Sequence, residues 1–368
     1  MAYLNKEGKI STFQMGLMMY FMVGGTSTLL VPSIAAKYAG RDMWLSPIWS
    51  ALIGFLNLFI AWQLYKIYPK TTIIESTKKI LGRVLGAVFN FFFLFRLIYD
   101  MSIIVREYGE FIHVFLTYTP IYILMGSLIL VCSFAVLSGI EVIARCTQIF
   151  LPIVILFFLL MVIFIIPELN PENMLPIMEN GLKPSLKSAV FINEWFVEFI
   201  YISFLFPFLQ NKQKAIRWGS VSVLTVMLTM VIANFVCLFL LGDITKQFNF
   251  PVYTAASYIS VADFAEHLDG IVMAIWILVG FCQLTMWLYA LSFGVSQWLN
   301  LSEYRRVVLP LGLLIILFSI WIAPHFESLT STLNTSFVPY TYVMMLFYPM
   351  LLLCIAYIRK RPFLNQKT

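Results

Sequence analysis

The chain has 368 residues, of which 61% are hydrophobic and only 11% charged, with a mean hydropathy of +0.89. That composition cannot clothe a water-facing surface, which excludes a soluble globular protein and implies a polytopic membrane protein. The formal net charge of +6 then reads as an orientation signal, and a nucleic-acid partner is not needed to explain it.

A bilayer core of roughly 30 Å takes about 20 apolar residues per helix. Ten such runs follow one another, at 11–36, 44–65, 84–108, 119–140, 146–166, 188–209, 218–241, 270–298, 307–324 and 336–358. Each is apolar on all faces, as expected of helices whose backbone bonds are internal and not of the alternating strands of a barrel. The predicted fold is all-α, a single transmembrane domain over 1–368. The first span is too long and lacks the small-residue site of a cleaved signal, so it reads as a retained helix. Of the 24 Lys and Arg residues, seventeen fall on the side shared by both termini and six on the other, with Arg96 inside the third span. This predicts cytoplasmic termini.

In chain order, the first span carries "GGTSTLLVP", placing Gly24, Gly25, Thr26, Ser27, Thr28 and Pro32 where a membrane helix is ordinarily most regular. A break after Gly25 would aim the amides of Thr26, Ser27 and Thr28 at a carboxylate and leave carbonyls of the first half-helix for an ammonium. The alternative is that small residues sit where helices pack closely and that Pro32 only kinks one. In the third span, "FRLIYDMSII" sets Arg96 and Asp100 four apart, the spacing of an intrahelical ion pair. The sixth span, "VFINEWFVEFIYISF", places Asn193, Glu194 and Glu198 in an apolar run. Charged residues at mid-bilayer face a cavity or a partner, so the glutamates either line a ligand site or pair with Arg96 or another subunit. This span has no glycine, which makes a break weaker here than in the first. The eighth span is long and uncharged, with Thr285, Tyr289 and Ser292 at helical spacing, either lining a cavity or bonding to a neighbouring helix. Met101 and Val197 complete the candidate ligand-binding set of Gly24, Gly25, Thr26, Ser27, Thr28, Glu194, Glu198, Thr285 and Tyr289.

Five spans precede the polar connection at 167–187 and five follow it. An odd number forces the second set, 188–358, to enter the membrane inverted relative to the first, 11–166, which is the arithmetic of inverted-repeat transporters. The first and sixth helices of that architecture are discontinuous. Cys132, Cys146, Cys237, Cys282 and Cys354 lie in or beside apolar spans without CxxC spacing. His113, His267 and His325 are scattered over three connections, so neither disulfides nor a metal nor another cofactor is expected. No nucleophile, base and orienter are grouped as an enzyme would require.

The motifs "ISTFQ", "GTSTLLVP", "AGRDMWLS", "ILGRVLG", "EHLDGIVMAIWIL" and "FYPMLLLCIAYIRKR" resemble, from end to end, the B subunits of the GerA-type nutrient germinant receptors of endospore-forming bacteria. That family looks like a branch of the amino acid, polyamine and organocation superfamily, whose leucine-transporter-like first helix carries a G-x-G-x-x-x-x-P element. Here Ser27 stands at the second glycine, which tightens backbone approach. The resemblance implies a subunit that binds a small amino acid germinant and works with an A subunit and a lipoprotein C subunit in the spore inner membrane, among membrane lipid. The alternative is an amino acid secondary transporter. Proton-coupled relatives often carry a lysine in the fifth helix, and this span has none. Sodium, a relay through Glu198 or no coupling remain open.

Overall fold

The computed structural model describes residues 8–257, 268–322 and 337–364; His267 and His325 lie outside them. Among the described residues the chain is helical. Two capping devices set the first helix: Ser11 Oγ accepts from the Gln14 amide at 3.1 Å and Gln14 Oε1 from the Ser11 amide at 2.9 Å, so "ISTFQ" is a capping box. From there α1 (Thr12–Ala39) leads through a 3-10 turn (Gly40–Leu45) into α2 (Ser46–Ile67). Gly40 permits that corner with φ +55°. A short amphipathic helix, α3 (Ile73–Leu81), precedes α4 (Arg83–Phe115). A single residue, Gly139 at φ +97°, separates α5 (Ile121–Ser138) from α6 (Ile140–Ile165).

After the connection at 166–182 come α7 (Lys183–Val197), a 3-10 segment (Glu198–Phe204) and a short turn at Phe206–Phe208, together making the sixth span. They are followed by α8 (Ala215–Leu241), the short α9 (Pro251–Ser257), α10 (Leu268–Leu299) and α11 (Arg305–Ile322). The tenth span is α12 (Phe337–Tyr342), a π segment (Val343–Phe347) and α13 (Tyr348–Leu364). Among the described residues, helices thus occupy each of the ten predicted spans. The "AGRDMWLS" motif fastens the connection between the two halves: the Asp42 carboxylate accepts from the Met178 amide at 2.9 Å, and Arg41 donates to the Leu175 carbonyl and lies 3.5 Å from Asp243.

The core forms where α1 packs on α7 and α8 and where α10 crosses α4, α5 and α6. Outward faces of α6 and α11 carry Ile149, Leu156, Ile163, Leu313 and Leu317, as helices bathed in hydrocarbon should. Two expectations about helix breaks resolve differently. The first span is not interrupted at Gly25, because α1 is one α-helix to Ala39. Its hydroxyls fold back on it: Ser27 Oγ donates to the Gly24 carbonyl at 2.9 Å and Thr28 Oγ1 to the Gly25 carbonyl at 3.2 Å, supplying local donors just where the glycines weaken the helix. The sixth span does change character, at Glu198, although it lacks glycine. The buried Asn57 amide of α2 donates to the Val197 carbonyl at 2.7 Å and to the Met345 carbonyl of the π segment at 2.9 Å. Carbonyls released from regular helix need such donors, because lipid offers none. Replacing Asn57 by Ala should therefore lower the thermal unfolding midpoint of the purified protein by the equivalent of about 1–3 kcal/mol. An unchanged midpoint would show that these carbonyls are satisfied in another way.

Candidate functional site

The inward face of α4 presents Arg96, Asp100 and Glu107, all buried, at a spacing that returns to one side of the helix. Arg96 pairs with Asp100 one turn on. Its Nη2 also lies 3.3 Å from Glu194 Oε1 of α7 and donates to Thr341 Oγ1 of α12 at 2.6 Å, while the Tyr340 ring lies 5.7 Å from the guanidinium carbon. Tyr201 OH donates to Asp100 Oδ2 at 3.4 Å. Spans three, six and ten therefore meet on one guanidinium. Both sequence readings of this region hold together: the intrahelical pair forms, and Glu194 joins it across the helix interface.

Glu198 is different. It is 8% exposed, and its Oε2 has no hydrogen-bond partner, although Asp100, Glu194, Glu107 and Arg96 all act on it electrostatically. Asp100 and Glu194 contact Arg96 directly and Glu198 lies in the same neighbourhood, a crowding of carboxyl groups that is costly in a low-dielectric interior. Glu107 was not singled out from the sequence, although it stands seven residues after Asp100 and so falls on the same face.

A second polar knot surrounds the middle of α1. Thr26 Oγ1 accepts from Trp195 Nε1 at 3.1 Å and from Gln283 Nε2 at 3.4 Å. The Met22 carbonyl takes bonds from Gln283 Nε2 at 3.1 Å and Trp287 Nε1 at 3.3 Å. Tyr108 OH donates to Gln283 Oε1 at 3.0 Å. A methyl group added at Gly25 would collide with the Gln283 amide and come within 3.0 Å of the Tyr108 hydroxyl, so this glycine is required by close approach. The knot and the acidic cluster touch through Trp287 and Tyr201, whose rings meet edge-on at 4.8 Å.

The candidate residues distribute unevenly over this framework. Gly25 and Thr26 belong to the knot, and Glu194 and Glu198 to the cluster. Met101 and Val197 are buried close by in sequence, with the Val197 carbonyl occupied by Asn57. Ser27 is buried and turned to its own helix, while Gly24 and Thr28 line a groove on the outer flank of α1. Thr285 faces α5 beside Cys132. Tyr289 stands apart, stacked on Phe293 at 5.8 Å and edge-on to Phe208 and Tyr304. Gln283, Tyr108, Trp195 and Trp287 escaped the sequence reading, because nothing in their local spacing separates them from core residues.

A family model described as spore germination protein matches residues 9–327. The chain belongs to the spore germination protein family. Spore germination protein KB of Bacillus subtilis (strain 168) is 29% identical over 367 residues, covering 97% of this chain and 96% of that protein. Spore germination protein XB of Bacillus anthracis is 22% identical, covering 95% and 98%. Among solved structures, MhsT in complex with L-phenylalanine superposes with a TM-score of 0.71 at 13% identity, over 92% of this chain and 89% of that one. The nucleobase-cation-symport-1 family transporter Mhp1, closed on bromovinylhydantoin, gives 0.66 at 12%, over 92% and 78%. At these identities the likeness establishes the fold, which is that of multi-pass membrane transporters.

Removal of Arg96 tests the cluster. Arg96→Met leaves Asp100 and Glu194 buried without their counter-charge and should destabilise the protein by about 3–5 kcal/mol, seen as a lower unfolding midpoint and lower membrane yield. Adding Asp100→Asn and Glu194→Gln to the same chain should restore most of the loss. If the single variant is as stable as the native chain, the guanidinium does not hold the three spans together.

Proposed function

We propose that this member of the spore germination family is a receptor subunit that binds a small amino acid germinant in its permease-like core and signals with A and C partner subunits in the spore inner membrane. The observation that carries the reading is the knot on α1. At Gly25 a helix backbone, three hydrogen-bonding side chains from three other spans, Tyr108, Trp195 and Gln283, and a close-approach glycine converge at mid-membrane, with the Asp100 carboxylate reached through the Trp287 and Tyr201 rings. A zwitterion needs donors for its carboxylate and acceptors for its ammonium. Gln283, Trp195 and Trp287 hold donors that now satisfy α1, and Glu198 holds an acceptor with no partner.

In this reading the described state is packed closed: Thr26, Met101, Val197 and Gln283 are all fully buried. A ligand would take over the bonds that Gln283 and Trp287 now give to the Met22 carbonyl, and the differential affinity between the two arrangements would be the signal. MhsT, which shares the fold, is seen with L-phenylalanine, and this supports an amino acid here. The second reading, a secondary transporter, uses the same core and is favoured by the transporter fold itself.

Gly25→Val should abolish the germination response while the protein is retained, because the new side chain displaces Gln283 and obstructs the knot. Adding Gln283→Ala should relieve the crowding without restoring the response. Spores of Gly25→Val that keep a native dose dependence would remove the α1 site from consideration.

Receptor and transporter separate in vesicles that contain this chain alone. Saturable binding of labelled amino acid with no concentrative uptake, and a spore response that vanishes with the A subunit, is the expected result. Robust uptake by the isolated chain, with germination indifferent to the A subunit, would leave a permease in place of the receptor.

A further inference from the structure

The groove on the outer flank of α1 shares only Gly25 with the knot and no residue with the cluster. It runs between α1, α6, α8 and α10, encloses about 390 Å³ and is walled mainly by residues such as Phe13, Leu17, Phe158, Trp218, Leu228 and Ile275. Ile155, Leu159 and Leu228 on its rim are exposed, and they belong to helices of membrane-crossing length and hydropathy. The groove therefore opens sideways into hydrocarbon. Two of its polar wall groups satisfy each other, the Tyr20 hydroxyl lying 3.2 Å from Thr229 Oγ1. Water needs two to four polar partners to occupy such a space, and an empty apolar space forfeits its dispersion contacts. What remains at that depth is acyl chain. At about 30 Å³ per water-sized group, the volume accommodates roughly a dozen methylenes. From Phe13 to Thr28 the α1 wall rises about 22 Å, at 1.5 Å per residue.

One end of the groove is marked by Phe13 and Trp218, whose rings meet edge-on at 4.8 Å, where α1 and α8 both begin. Lys214 and Arg217, both exposed, stand there. Lys214 precedes Trp218 by one helical turn and Arg217 precedes Val221 by one turn, and both Trp218 and Val221 line the groove. Neither cation makes an ion pair among the described residues. A slot of hydrocarbon character with two exposed cations at its interfacial mouth is complementary to a lipid with an anionic headgroup.

We infer that this groove is a binding site for one anionic phospholipid, an acyl chain lying along α1 between Phe13 and Thr28 and the phosphate held by Lys214 and Arg217. Gly24 and Gly25 form part of the wall, so the chain presses on the back of the helix whose front meets Gln283. The site does not depend on which small molecule the core binds.

The test uses the full chain in nanodiscs of phosphatidylcholine doped with acyl-brominated phosphatidylglycerol or acyl-brominated phosphatidylcholine. Quenching of Trp218 and Trp276, both in the groove wall, is read as the difference from a Trp218→Phe/Trp276→Phe chain. Brominated phosphatidylglycerol should quench at a lower mole fraction than brominated phosphatidylcholine. The Lys214→Gln/Arg217→Gln chain, altered only at exposed positions, should lose that preference by on the order of tenfold. Inorganic phosphate should not reverse it, and Ile155→Phe with Leu228→Phe should reduce quenching by either lipid. Equal quenching by the two lipids that ignores the charge change would mean ordinary boundary lipid and overturn the proposal. Protection of both tryptophans in the assembled receptor, against quenching in the isolated chain, would assign the groove to a protein segment and overturn it equally.

Discussion

A guanidinium at 1% exposure inside a bundle of membrane helices is the constraint to which the rest of the architecture answers. Lipid cannot solvate Arg96, so acids and hydroxyls must come to it, and they come from three different spans. Spans three, six and ten are pinned at that depth before any ligand is considered. Around the same point the Glu198 Oε2 has no hydrogen-bond partner among the described residues, and that acceptor gives the core its chemical interest.

The two polar centres have opposite characters. Around α1 every strong donor is used, and the helix stays regular because its own hydroxyls and the side chains of α7 and α10 attend to its weak stretch. Around Glu198 an acceptor is left over, and the helix is irregular. The proposed ligand class rests on this bonding pattern more than on any shape: an ammonium would answer the idle acceptor, and a carboxylate would have to draw on donors that now serve α1.

The ten spans could be read from hydropathy because the bilayer leaves a helix little choice of composition. The Arg96 to Asp100 pair followed from a spacing of four, and Glu107 was open to the same reasoning. The helix breaks were not predictable in the same way. Glycine and small hydroxyl residues mark a stretch as weak, but Ser27 and Thr28 then repair it by bonding three residues back. The change at Glu198 is sustained by Asn57, distant in sequence by well over a hundred residues. Donors of that kind carry no local signature. The same holds for Gln283, whose long uncharged helix offers no hint that one amide in it serves three groups on two helices.

Asn57 also carries a mechanical implication. Its single amide nitrogen holds the last carbonyl before the sixth span changes pitch and a carbonyl within the π segment of the tenth. Two helices with stored irregularity are therefore yoked through a third that is regular throughout. If ligand binding were to rewind the sixth span, the Val197 carbonyl would return to its own ladder and release half of that amide, and the tenth span would lose the balance that keeps its wide turn open. The α2 helix would act as the rocker arm between them, passing a change of pitch from one span to the other with no movement of its own beyond a side-chain rotation.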